Sequence, residues 1–156
     1  GEDSTRSAQS LGSQIEAIVR TIHRPTLITT SHFRKPETVM VAFDGSATGH
    51  KTLQMLASSP LCEGLPIHIV MVGTDSEDNQ NALEKARTTL ASSGSLVHSE
   101  IRPGEVESTL HAYQAEHGID LLVMGAYGHS RIRQFLIGST TTTMLRTSTV
   151  PLLLLR

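Results

Sequence analysis

The residues best suited to chemistry in this sequence of 156 amino acids are three glycines and two hydroxyls. Gly125 and Gly128 follow an apolar run, and after nine further residues come Gly138, Ser139 and Thr140. Phosphate oxygens bind well to backbone N–H groups, and a Cβ on such a loop obstructs their approach. Gly138-Ser139 stands where a helix is expected to begin, so its unpaired N–H groups and dipole favour an anion. The dipole contributes only ~0.3–1 kcal/mol. Most of the affinity must then come from the N–H groups, the Ser139 and Thr140 hydroxyls and a metal ion on the phosphates. A second candidate is Asp44, an acid placed just past another apolar run and before Gly45-Ser46. Asp44 also reads as a cap for the helix that follows.

Those residues need a scaffold, and the apolar pattern supplies one. Val39 to Phe43 is a short apolar run between Pro36 and Asp44-Gly45-Ser46, which reads as a buried strand. Ser46 is suited to cap a helix with Leu53, Leu56 and Ala57 on its inner face. The unit then recurs. Ile67–Val72 reads as a strand, followed by a helix with Leu83, Ala86 and Leu90 at helical spacing. Leu96–Ile101 is a more polar strand, as suits a sheet edge, followed by a helix carrying Val106, Leu110 and Tyr113. Ile119–Met124 is the fourth strand and Val150–Leu155 the last. Alternation of this kind predicts a mostly parallel sheet with helices on both faces. Ligands of such sheets sit at the carboxyl ends of the strands, where Asp44 and Gly125 fall.

The N-terminus repeats the C-terminus. Leu11-Gly12-Ser13 matches Ile137-Gly138-Ser139, Arg20 matches Arg146 and Pro25 matches Pro151, all at one offset. Residues 1–30 are therefore expected to be the last helix and strand of a preceding homologous domain. Residues 31–36 read as a linker and residues 37–156 as the complete unit. A strand at Thr26–Thr30 without its own sheet needs an edge, and Leu152–Leu155 is the expected partner.

Composition narrows the function classes. Aromatics make up 3% with no Trp, which argues against a single-stranded nucleic-acid platform built on stacking. A net charge of −2 argues against a general polyanion surface. Cys62 is the single cysteine, so no intrachain disulfide or cysteine-based zinc site is expected. It reads as a small residue in a loop between elements. The eight histidines show no His-Glu-x-x-His spacing, and no metal site from protein side chains alone is expected. No apolar run reaches the ~20 residues that span a bilayer, and a cytoplasmic protein is expected.

The full spacing, from Gly125-Ala126-Tyr127-Gly128 to Gly138-Ser139-Thr140 and on to the Pro-Leu-Leu-Leu-Leu strand, resembles the nucleotide-keeping branch of the universal stress protein family. The resemblance covers about residues 37–156. It implies a Rossmann-like α/β fold: a five-stranded sheet in the order 3-2-1-4-5, with the last strand pairing antiparallel across a two-fold dimer interface. It further implies an ATP (or ADP or AMP) ligand, with Mg carried on the phosphates. Asp44 resembles the acid that contacts the ribose. Ala42 falls where the strand backbone passes the adenine, and Val72 where the backbone reads its edge. Gly125, Gly128, His129, Ser130, Gly138, Ser139 and Thr140 match the phosphate loop, with Arg131 and Arg133 in its variable stretch.

The function implied is a non-catalytic, ATP-binding stress-response protein that signals through a homodimer, or through a pseudo-dimer with the preceding domain, to an unidentified partner. Two alternatives stay open on the residues: a slow ATPase, and a partner-binding module with an empty cleft. Against the first, Asp44 is expected at the ribose end, and His129 with Arg131 is a thin inventory for phosphoryl transfer. Against the second stand the intact glycines of the loop.

Overall fold

The computed structural model describes residues 24–125, 143, 144 and 146–155. In chain order the elements are β1 (Thr26–Ile28), β2 (Val39–Ala42), α1 (Ala47–Ala57), β3 (Ile67–Val72) and α2 (Glu77–Ala91). They continue with β4 (Val97–Arg102), α3 (Val106–His117), β5 (Leu121–Gly125) and β6 (Leu152–Leu155). Residues 143, 144, 146 and 147 are helical as well.

The sheet runs β1-β6-β5-β2-β3-β4. All neighbours from β6 to β4 pair parallel, while β1 pairs with β6 antiparallel, Thr26 opposite Leu154 and Ile28 opposite Leu152. Among the described residues the sheet therefore has six strands rather than the expected five. The sixth is the short N-terminal strand on the edge proposed for it.

Period-two alternation divides the core into two layers. Val39, Val41 and Phe43 join Ile67, Ile69, Met71, Leu121 and Val123 on the face covered by Leu53 and Leu56 of α1 and Leu83, Ala86 and Leu90 of α2. Met40, Val70, Leu122, Leu152 and Leu154 face the other way, against Leu110 and Tyr113 of α3 and Met144. β2 lies at the centre, buried from both sides, which is why it reads as an unbroken apolar run.

Three expectations need correction. Val106, the first residue of α3, is exposed, and burial along the helix begins at Leu110. Cys62 does not sit in an open loop; it ends a 3-10 turn (Pro60–Cys62) and packs into the first core layer, where burial pushes its thiol pKa up to about 11. Gly125 belongs to β5, opposite Leu155, rather than opening the loop after it.

Candidate functional site

The carboxyl ends of β2, β3 and β5 do not stop level. Ala42, the last residue of β2, lies opposite Val70 on one side and Met124 on the other. β3 runs on two residues to Val72, and β5 one residue to Gly125. At ~3.3 Å per residue, Val72 stands roughly 6–7 Å beyond the end of β2. The result is a notch two strand spacings wide, about 10 Å, with Ala42, Phe43 and Asp44 at its base. Strand order reverses at this place: the chain leaves β2 for β3 on one side and later returns to β5 on the other. A doubly wound sheet binds its ligands at such a position.

The base of the notch is rigidly made. The Phe43 N–H donates to the Val70 carbonyl at 3.0 Å, carrying the ladder one residue past β2. Gly45 then turns the chain with φ +78°, a left-handed conformation that disfavours a side chain. Ser46 caps α1, its hydroxyl accepting the Gly49 N–H at 3.0 Å. Asp44 is not the cap. Its Oδ1 accepts the Ser46 N–H at 2.9 Å and the Ser46 hydroxyl at 2.6 Å, so the carboxylate is held over the first turn of the helix, exposed to solvent.

Gly49 makes that placement possible. A Cβ there would stand 2.9 Å from Asp44 Oδ1 and 3.1 Å from two ring carbons of Phe43. A glycine inside a helix, disfavoured by ~1 kcal/mol against alanine, is a signal of close approach that Gly49 carries in the sequence. His50, one turn into the same helix, carries no such signal in the sequence. Its ring stands edge-on to Phe43, with centroids 5.0 Å apart. Burial and then the Lys85 charge lower its pKa, and the Asp44 charge acts in the opposite sense.

The second wall is the turn after β3. The Gly73 N–H donates to the Arg102 carbonyl at 2.9 Å, and Ser46's counterpart here, Ser76, caps α2 through the Asn79 N–H. Asn79 Nδ2 also donates to the Thr74 carbonyl at 2.8 Å, so the backbone beyond Val72 is braced. On the third side, a Cβ on Gly125 would meet Thr52 Oγ1 at 3.4 Å and Thr48 Cγ2 at 3.8 Å, ordinary contact distances. Among the described residues nothing stands close enough to exclude alanine at Gly125.

The structure thus gathers Ala42, Asp44, Val72 and Gly125 around one notch. Gly128, His129, Ser130, Arg131, Arg133, Gly138, Ser139 and Thr140 lie outside the described residues. Among the described residues, no group of three His, Cys, Asp or Glu is placed to hold a metal ion, and no helix is long and apolar enough to cross a membrane.

The sequence profile of the universal stress protein family matches residues 73–156, more than half of the chain. The chain belongs to the universal stress protein family. A universal stress protein of Synechocystis is 42% identical over 158 residues, an alignment that takes in 100% of this chain and 55% of that protein. The chain therefore spans about half the length of this curated relative. A solved universal stress protein from Archaeoglobus fulgidus superposes with TM-score 0.72 at 23% identity, over 90% of this chain and 52% of the other. Another solved universal stress protein, in complex with cAMP, gives TM-score 0.67 at 22% identity, over 79% and 98% of the two chains. At these identities the two structures speak for the fold, a universal stress protein sheet with helices on both faces.

Proposed function

We propose that this universal stress protein domain binds an adenine nucleotide, ATP in first place, in the notch at the ends of β2, β3 and β5. The observation that carries the reading is Asp44, an acceptor-only carboxylate anchored at the switch point of the sheet by Ser46 and admitted there by Gly49. A carboxylate accepts both hydrogen bonds that a ribose diol can donate. The backbone at Ala42 and at Val72 is proposed to meet the edge of a flat base. The described residues fit the nucleoside half of the ligand.

The loop from Gly125 to Thr140, with Gly128, His129, Ser130, Arg131, Gly138, Ser139 and Thr140, is proposed for the phosphates, and Mg is proposed to sit on the phosphate oxygens. That the cAMP complex is of a relative with the same fold supports the choice of a nucleotide. Binding rather than turnover is proposed: Asp44 stands at the nucleoside end, too far from a γ-phosphate to orient a water.

The proposal extends to domain organisation. Residues 1–30 are read as the last helix and strand of a preceding homologous domain, residues 31–36 as a linker and residues 37–156 as the unit itself. The antiparallel β1–β6 pair supports this, since it supplies within one chain the contact expected across a two-fold dimer. The whole protein would then be a cytoplasmic tandem protein that signals through a ligand-dependent dimer or pseudo-dimer surface.

Calorimetric titration of the chain with ATP and Mg, alongside AMP, tests the core of the reading. Micromolar binding of ATP that weakens with AMP is the expected result. Absence of heat up to millimolar ATP would favour a partner-binding module with an empty cleft.

A further inference from the structure

On the face of the sheet covered by α3, His68 of β3 and His98 of β4 stand opposite each other in register. His117, at the end of α3, closes over them. The ring centroids of His68 and His117 are 5.1 Å apart, those of His68 and His98 5.5 Å, and those of His98 and His117 6.5 Å. Tyr113 binds the group together: its ring stacks on His117 at 4.1 Å, and its hydroxyl lies 2.7 Å from His68 Nδ1. We propose that His68, His98 and His117 form a proton-responsive latch, which holds α3 on β3 and β4 while the rings are neutral and releases it on acidification.

The charges around the cluster give the latch its direction. Arg102 of β4 lies 4.5 Å over the Tyr113 ring and is permanently cationic. Both nearby acids are tied to it, Glu116 of α3 at 2.6 Å and Glu100 of β4 at 3.1 Å. The Glu116 hydrogen bond is the main reason the Arg102 pKa lies above the ordinary guanidinium value, and the same bond lowers that of Glu116. Burial, then the charge of Glu100, raises Tyr113 to about 12, so its hydroxyl stays neutral through the range of interest. His98 Nε2 lies 3.8 Å from a Glu100 carboxylate oxygen and its side chain is largely exposed; the Glu100 charge also reaches His68, and His117 and Glu116 feel each other. A positive charge on any one of the three rings would stand 5.1 to 6.5 Å from the other two. Among the described residues His117 Nε2 is buried with no hydrogen-bond partner, a costly arrangement that opening of the cluster would relieve.

Burial foremost, then His117 and His98, lower the pKa of His68 against a smaller opposing pull from Glu100. A base whose folded pKa is depressed stabilises the fold above its unfolded value and loses that contribution as pH falls. The window is therefore below the free imidazole value of 6.5. Release of α3 would be felt beyond the cluster. His111 Nε2 lies 2.7 Å from Thr147 Oγ1, and Gln114 Nε2 donates to Thr149 Oγ1 at 3.3 Å, so α3 also carries the segment ahead of β6. None of this depends on the nucleotide reading.

Hydrogen exchange on the full chain, with EDTA present and rates corrected for intrinsic pH dependence, would compare about pH 7.5 with about pH 5.5. The expected result is that protection of α3 falls about tenfold more than that of α1. An equal fall in both helices, or none in either, overturns the proposal. In His68→Gln/His117→Gln the excess loss in α3 should shrink to less than about threefold, and a full excess there also overturns it. Should that variant not fold, an NMR titration of the wild-type imidazoles decides the matter. His68 titrating below ~6.5 in step with the α3 change supports the latch, and titration at or above that value refutes it.

Discussion

Gly49→Ala separates the stability of the fold from recognition by Asp44. The new Cβ would stand 2.9 Å from Asp44 Oδ1, closer than such atoms are found, and 3.1 Å from the Phe43 ring. Phe43 is buried in the first core layer, so the exposed carboxylate is the group that moves. Moving it stretches the 2.6 and 2.9 Å bonds from Ser46, a loss of about 1 kcal/mol for exposed groups of this kind. Alanine in place of glycine inside α1 returns about 1 kcal/mol through helix propensity. The two effects nearly cancel, and urea unfolding should place the variant within about 1 kcal/mol of the wild type. Nucleotide binding has no such compensation. Displacing a charged acceptor from the ribose forfeits about 1.5–3 kcal/mol, which is about ten- to 150-fold in affinity. Calorimetry with ATP and Mg measures it. A variant that unfolds normally and binds within about threefold of the wild type would refute the role given to Asp44.

Two further substitutions probe the scaffold. Asp120→Ala removes the carboxylate that accepts the Glu37 N–H at 3.0 Å and the Thr38 N–H at 2.9 Å, just ahead of β2, and should lower unfolding free energy by about 2 kcal/mol in urea. Gly45→Ala should cost about 1–2 kcal/mol through its φ of +78°, whereas Gly125→Ala should unfold like the wild type, so any loss of affinity in the latter reports contact with ligand.

Much of the frame was legible because one physical signal dominated at each place. The runs at Val39, Ile67 and Leu152 are buried from both faces and show as unbroken apolar stretches. The polar run at Leu96 showed the edge, and β4 is an edge strand. Ser46 was legible as a cap because its hydroxyl precedes a helical pattern. The match of residues 11–25 to residues 137–151 was enough to suggest where β1 would pair. What escaped was set by distance in space rather than in sequence. His68, His98 and His117 belong to three separate elements, and only the register of β3 with β4 puts the first two side by side. Gly49 needed the position of Asp44 to acquire a reason. Val106 obeys the helical period but stands exposed at the first position of its helix.

The β1–β6 pair also bears on the order in which the molecule folds. Thr26 meets Leu154 across almost the full length of the described chain, so their contact closes the largest loop in the fold. The ends lose their freedom before the contact repays it, whereas β2, β3 and β4 join through much shorter helical crossovers, residues 43–66 and 73–96. Three residues of β1 form too small a patch to nucleate anything alone. The strand should therefore dock last, after β6 has joined β5, and detach first. Until it does, every folding molecule presents the bare edge of four consecutive leucines, and encounters between such molecules compete with the closure of each chain on itself.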